Sequence, residues 1–263
     1  MAEIFILKLT VTVTIVVGLS IIAEKASPRI AGLLSGYPTG SAIALFFFGL
    51  EIGPDFAAQS AFYNMVGIAA TLAFTFFYYK ASQKYGMAGS ALLSVAGYLI
   101  ITWLLHFIEP NIYLAVGIPA AAILLFVFLF RRIKNVRVEN TIPLSTNVLL
   151  IRALFAVSII LVITGVARLI GPAWAGLFSA FPTTILPLVL IIHYTYGKKH
   201  VHTIIKNVPA GIFSVVLYSL TISFAYPAYG VYWGTLAAFG VATVYLAAYQ
   251  IVRKSGLFPR TAS

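Results

Sequence analysis

Apolar runs of about twenty residues recur along the whole chain, separated by short polar pieces. Such a run is long enough to cross a hydrocarbon core of about 30 Å at about 1.5 Å per helical residue. No water is available there to meet backbone N–H and C=O groups, so each run must close its hydrogen bonds internally as a helix. The mean hydropathy of +1.01 agrees with this reading. Nine spans are expected, at 4–23, 28–52, 57–79, 87–107, 111–130, 147–168, 172–196, 203–225 and 229–252. The expected fold class is therefore all-α: a polytopic helical membrane protein with nine transmembrane helices. The longest polar piece, "RRIKNVRVENTIPLST" at 131–146, is the one candidate linker.

The formal net charge of +11 raises the question of nucleic acid. Lys and Arg punctuate the apolar runs instead of forming a basic face, so they argue for topology and against that partner. With the N-terminus outside, all of the 17 Lys and Arg except Lys8 and Arg168 fall on or near the cytoplasmic side. Glu3, Glu51, Asp55 and Glu109 fall outside. The expected location is a plasma (inner) membrane, with the N-terminus outside and the C-terminus cytoplasmic. The first run lacks a small-residue cleavage site and reads as a span, not a signal peptide. With no cysteine, thiol catalysis and Cys-ligated metal sites are excluded.

Two stretches, "PRIAGLLSGYPT" at 28–39 and "PAWAGLFSAFPT" at 172–183, align without a gap under a shift of 144 residues, and seven of the twelve positions are identical. The same shift pairs Gly53 with Gly197, Gly67 with Gly211, Tyr85 with Tyr229, Gly86 with Gly230 and Lys8 with Arg152. Chance likeness between apolar helices produces Leu/Val matches, not Pro-Thr and Gly matches. The chain therefore reads as two four-helix repeats joined by a connecting helix: 1–110, a connector at 111–146, and 147–263. Five spans precede the second copy, so it enters the membrane in the opposite direction, an inverted-topology repeat.

Pro38 and Pro182 lie near the centres of spans 2 and 7 and break them. The freed backbone groups must be met by protein, water or a ligand. The expected substrate-binding residues are Ser35, Gly36, Tyr37, Pro38, Thr39 and Gly40 from the first copy, and Ser179, Phe181, Pro182, Thr183 and Thr184 from the second. Half-helix N-termini would favour an anionic group there, and carbonyl ends a cation. The alternative is a pair of packed kinks. Glu51 and Asp55 stand one helical turn apart and could share a face, as an ion or proton site or as a solvated acidic loop. Asn64 and Asn207, one residue out of exact register, could line a path or bridge helices. These four residues are the ion-coupling candidates.

Lys8 and Arg152 read as cations snorkelling to the interface, or as anion ligands. His193 falls in the span over 172–196, and His200 and His202 read as residues of the basic loop "YGKKHVH"; none reads as a metal ligand. Tyr78, Tyr79, Trp103 and Trp174 read as interface anchors. No base–nucleophile pair, phosphate loop or metal motif is present, so no enzymatic activity, metal or cofactor is expected.

The run "AGLFSAFPTTILPLVLIIHYTYG" at 175–197 resembles the small GlpM-type inner-membrane proteins, which carry a similar AGL…FPT…HY.xG run in about one repeat's length. The first copy, "AGLLSGYPTGSAIALFFFGLEIG", resembles related bacterial membrane proteins with a Pro-Thr-Ser element followed by Glu-x-Gly. The resemblance implies a family of single or fused repeats and makes Glu51 and Gly53 recurring features of the first copy; it supplies no activity. The function expected from the residues is secondary transport of a small polar or ionic solute by alternating access, with H⁺ or Na⁺ coupling open. The alternative is a channel or lipid translocase on the same repeat. The expected partners are the solute or ion and the bilayer, with a homo-oligomer left open.

Overall fold

A computed structural model describes residues 2–25, 37–134, 136 and 146–254. Their regular structure is helical throughout, in eight elements: α1 (Ala2–Lys25), α2 (Thr39–Glu51), α3 (Pro54–Lys84), α4 (Met87–His106), α5 (Ile112–Phe130), α6 (Thr146–Ser179), α7 (Ile185–Tyr196) and α8 (Lys198–Lys254). Five of them are long and apolar enough to cross a membrane: α3, α4, α5, and most of α6 and α8. Apolar stretches of α1, and all of α2 and α7, are shorter apolar segments.

Helices form where the sequence predicts spans, but their ends and breaks differ from it. The span expected over 28–52 is described only from Tyr37 onward, and its helical part starts at Thr39. The span expected over 172–196 is two pieces, because the helix stops at Ser179 and resumes at Ile185. The span expected over 57–79 extends to Pro54–Lys84, its polar ends carrying on the helix past the apolar part.

The spans expected over 203–225 and 229–252 join into the 57-residue α8, interrupted at Gly230. There φ is +77° and ψ 173°, a left-handed backbone that suits glycine. The chain folds back at this point. Tyr245 OH donates to the Ala210 carbonyl at 3.0 Å, whereas a straight helix would hold these residues about 50 Å apart. α6 has the same kind of break at Gly171, with φ +75° and ψ 170°, immediately before Pro172.

The hub is α3, which packs against α2, α4, α5, α6 and α8. Within its most apolar window 72% is buried, against 28% for α4 and 17% for α5. The outward faces of α4 and α5 are nonetheless apolar: Leu92, Ile100, Trp103, Phe107, Tyr113 and Leu124 are all exposed. An exposed apolar surface on this scale is compatible with lipid as its solvent and is unusual for a water-soluble monomer.

Small residues bring α3 and α6 close. A Cβ on Gly67 would lie 2.8 Å from the Ala180 Cβ, and one on Gly176 would lie 2.7 Å from the Tyr63 Cβ while colliding with the Ser60 carbonyl oxygen. That carbonyl belongs to the backbone and cannot swing aside. Gly176→Ala is therefore expected to destabilise the protein by about 1–3 kcal/mol through overpacking, read as a lower midpoint in detergent-titrated unfolding. An unchanged midpoint would mean that the two helices do not approach this closely.

Candidate functional site

Each Pro-Thr element makes the same short turn. Thr39 N–H donates to the Tyr37 carbonyl at 2.6 Å and Thr183 N–H to the Phe181 carbonyl at 2.7 Å. One turn later, Ala42 N–H donates to the Pro38 carbonyl at 3.0 Å and Leu186 N–H to the Pro182 carbonyl at 2.9 Å. Proline has no N–H to donate, and in each copy a new helix starts just after it. In both copies the N-cap residue gives no side-chain hydrogen bond.

The two breaks lie against each other. A Cβ on Gly40 would run into the Thr183 hydroxyl, so glycine allows the contact. Between them lies a cavity of about 30 Å³, lined by Tyr37, Pro38, Thr39, Gly40, Ser41, Phe181, Pro182, Thr183 and Thr184, with Ile68 and Thr71 of α3 and Ile212 and Val215 of α8 among the rest. At this volume it has room for about two waters. Of the expected substrate residues, Ser35 and Gly36 lie outside the described residues. Ser179 is near the cavity but belongs to the polar knot beside it.

That knot centres on Asn64, which is fully buried. Its amide nitrogen donates to Ser179 Oγ at 2.7 Å and to Ser41 Oγ at 3.0 Å, and its carbonyl oxygen accepts from Ser219 at 2.7 Å. Ser41 in turn donates to the Ser179 carbonyl at 3.0 Å, and Ser179 to the Gly176 carbonyl at 2.7 Å. Asn64 thus joins α2, α3, α6 and α8, and uses its amide donors and acceptor within the protein. Asn207 has no comparable place: its amide donates to the Thr203 carbonyl of its own helix at 2.7 Å. The near-register of the two Asn in sequence is not matched by equivalent bonding, because one residue on a helix turns a side chain by about 100°.

The carbonyls released by the second break are occupied. Tyr98 OH donates to the Leu177 carbonyl at 2.8 Å, and Thr71 to the Ala180 carbonyl at 2.5 Å. Phe181 N–H donates to Phe178 at 3.0 Å. Neither Tyr98 nor Thr71 stands out in the sequence, where each is one polar residue inside an apolar run.

Glu51 and Asp55 do not share a face. The chain breaks between them at Gly53, where φ is +141°; Glu51 ends α2, and exposed Asp55 lies in the first turn of α3. Glu51 pairs instead with Lys8, at 2.7 Å. Lys8 is buried and also donates to Thr164 at 2.8 Å, so it is not a snorkelling cation. Arg168 donates to the Glu51 carbonyl. These contacts tie α1, α2 and α6 together.

Two further expectations are corrected. His193 lies on α7, within the span expected there, but its Nδ1 is 2.9 Å from the hydroxyl of Tyr78, which is buried and therefore no interface anchor. His202 lies on α8, with Nε2 2.8 Å from Ser82 Oγ. Trp174 stacks on His106 at 4.1 Å. Among the described residues no group of three or more His, Cys, Asp or Glu is placed to hold a metal ion.

Compared with models of known protein families, with curated proteins and with solved structures, the chain matches none.

Proposed function

We propose that the protein is a multi-span membrane transporter for a small polar or ionic solute, built from two inverted halves. The observation that carries this reading is the meeting of the two Pro-Thr breaks around one cavity. A lone broken helix is explained as a kink. Two copies that repeat the same pair of backbone bonds and face one another are better explained as the two walls of a path.

The element boundaries support the duplication as well. The 144-residue shift carries Gly53, which follows α2, onto Gly197, which ends α7, and both have positive φ. An odd number of spans between the copies would invert the second, and the distribution of Lys and Arg supports that topology. On this reading one half rocks against the other, opening the cavity to each side in turn. Asn64 would be a joint between the halves, and Glu51 the coupling candidate that a proton or ion would reach by releasing Lys8.

The test uses the absence of cysteine. Single cysteines at Thr39 and Thr183 should react with small membrane-impermeant thiol reagents added from either face of intact membranes. Reaction from neither face, while cysteines in the loops are labelled, would leave the breaks as packed kinks and remove the main support. Flux that persists unchanged after all ion gradients are collapsed would instead favour the channel or lipid-translocase alternative.

A further inference from the structure

We propose that the cavity between the two breaks binds a small monovalent inorganic anion, held by backbone amides of both halves and by the Thr183 hydroxyl. The inference deepens the transport reading, and rests on it for the step from bound ligand to carried solute.

The argument is an accounting of donors and acceptors. A buried backbone group without a partner is costly, so what remains unpaired at a helix break indicates what a ligand must supply. The acceptors at the second break are taken: the carbonyls from Leu177 to Pro182 each receive a hydrogen bond, from Ala180, Phe181, Thr183 and Leu186 N–H groups or from Tyr98, Ser41 and Thr71 hydroxyls. At the first break Tyr37 and Pro38 carbonyls accept from Thr39 and Ala42. The donors are not taken. Ser41, Thr184 and Ile185 N–H groups make no backbone hydrogen bond among the described residues, and no side chain caps either helix. All three residues line the cavity.

Thr183 points the same way independently. It lines the cavity at 4% exposure, and its hydroxyl lies against Gly40 at the start of the opposite helix. Unpaired N–H groups repel a metal cation and suit an anion, which accepts from them.

The charge of the ligand follows from the helices. α2 and α7, of 13 and 12 residues, both begin at the cavity. Each N-terminus presents about half a positive charge and the C-terminus of α6, at Ser179 beside them, about half a negative one, so the helix ends favour no more than a singly charged anion. Among the described residues that line the cavity none is charged, which leaves nothing to balance a second charge on the ligand. A volume of about 30 Å³ suits a halide-sized or small planar ion.

The experiment uses the purified full-length protein in detergent, with chloride as the probe and nitrate as competitor. Binding is read as broadening of the chloride nuclear magnetic resonance line, alongside tracer chloride flux into vesicles carrying the same protein. The wild type is expected to broaden the line, and nitrate to reverse it. Thr183→Val keeps the shape and removes the hydroxyl; it should weaken binding about tenfold or more. Thr184→Val is the second variant if the first does not fold, as judged by circular dichroism, with a smaller loss expected.

No broadening by the wild type overturns the proposal, and so does broadening that both valine variants retain in full. Sodium or rubidium binding with no chloride binding overturns it too, while leaving transport intact. Chloride binding without flux has the opposite meaning: the anion site stands and the transport reading falls.

Discussion

Asn64→Leu should destabilise the protein by about 2–5 kcal/mol. The substitution keeps the branching at Cγ but removes three buried hydrogen bonds between helices, to Ser41, Ser179 and Ser219. Such bonds contribute roughly 0.6–1.7 kcal/mol each within a membrane. Ser41 and Ser179 keep carbonyl acceptors for their own protons, but Ser219 loses its acceptor in a fully buried position. Detergent-titrated unfolding of the reconstituted protein measures the change. Asn207→Leu is the matched control, because that amide bonds only to its own helix; its effect should stay within about 0.5 kcal/mol. If both variants unfold at the wild-type midpoint, Asn64 does not hold the four helices together.

Lys8→Met should cost about 3 kcal/mol, and Lys8→Met combined with Glu51→Gln should recover most of it. The pair is 2.7 Å apart, with Lys8 buried and Glu51 largely covered. Removing one member strands a charge away from water, whereas replacing both by neutral groups of similar shape is nearly neutral. Lys8 also donates to Thr164, so a residual loss of about 1 kcal/mol is expected in the double variant. A double-mutant cycle on unfolding midpoints gives the coupling energy directly. Additive single effects would mean that the two charges do not act as a pair. The same variants bear on coupling: if Glu51 carries a proton or an ion, Glu51→Gln should abolish dependence of flux on that gradient while exchange of the solute persists.

The helices were legible in the sequence because a long apolar run has one stable backbone state where water is absent. The span expected over 87–107 lies within a residue of α4, and the one over 111–130 within a residue of α5. The breaks were legible for a related reason. Proline deletes a donor wherever it stands, so Pro38 and Pro182 marked the ends of helical segments before any contact was known. Their exact repetition under one shift also marked them as a pair.

The polar partners were not legible. Glu51 and Asp55 are close in sequence, but Gly53 turns the chain between them, and a positive φ at glycine leaves no periodic trace. Lys8 and Glu51 are 43 residues apart, and Thr164 is 156 residues from Lys8. Nothing local selects such partners; helix packing does. Tyr98 and Thr71 read as ordinary polar residues in apolar helices, yet they cover the carbonyls that the second break exposes.

By itself, then, the sequence determined that the chain is helical, where its long apolar helices lie, and that two Pro-Thr elements each start a new helix. These are properties of the backbone in a dry solvent, and local residues decide them. Which polar groups are consumed in holding the helices together, and which donors are left facing a cavity, was decided only by the tertiary structure. The reason is that a hydrogen bond needs two groups within about 3 Å, and helices remote in sequence meet at that distance only through packing.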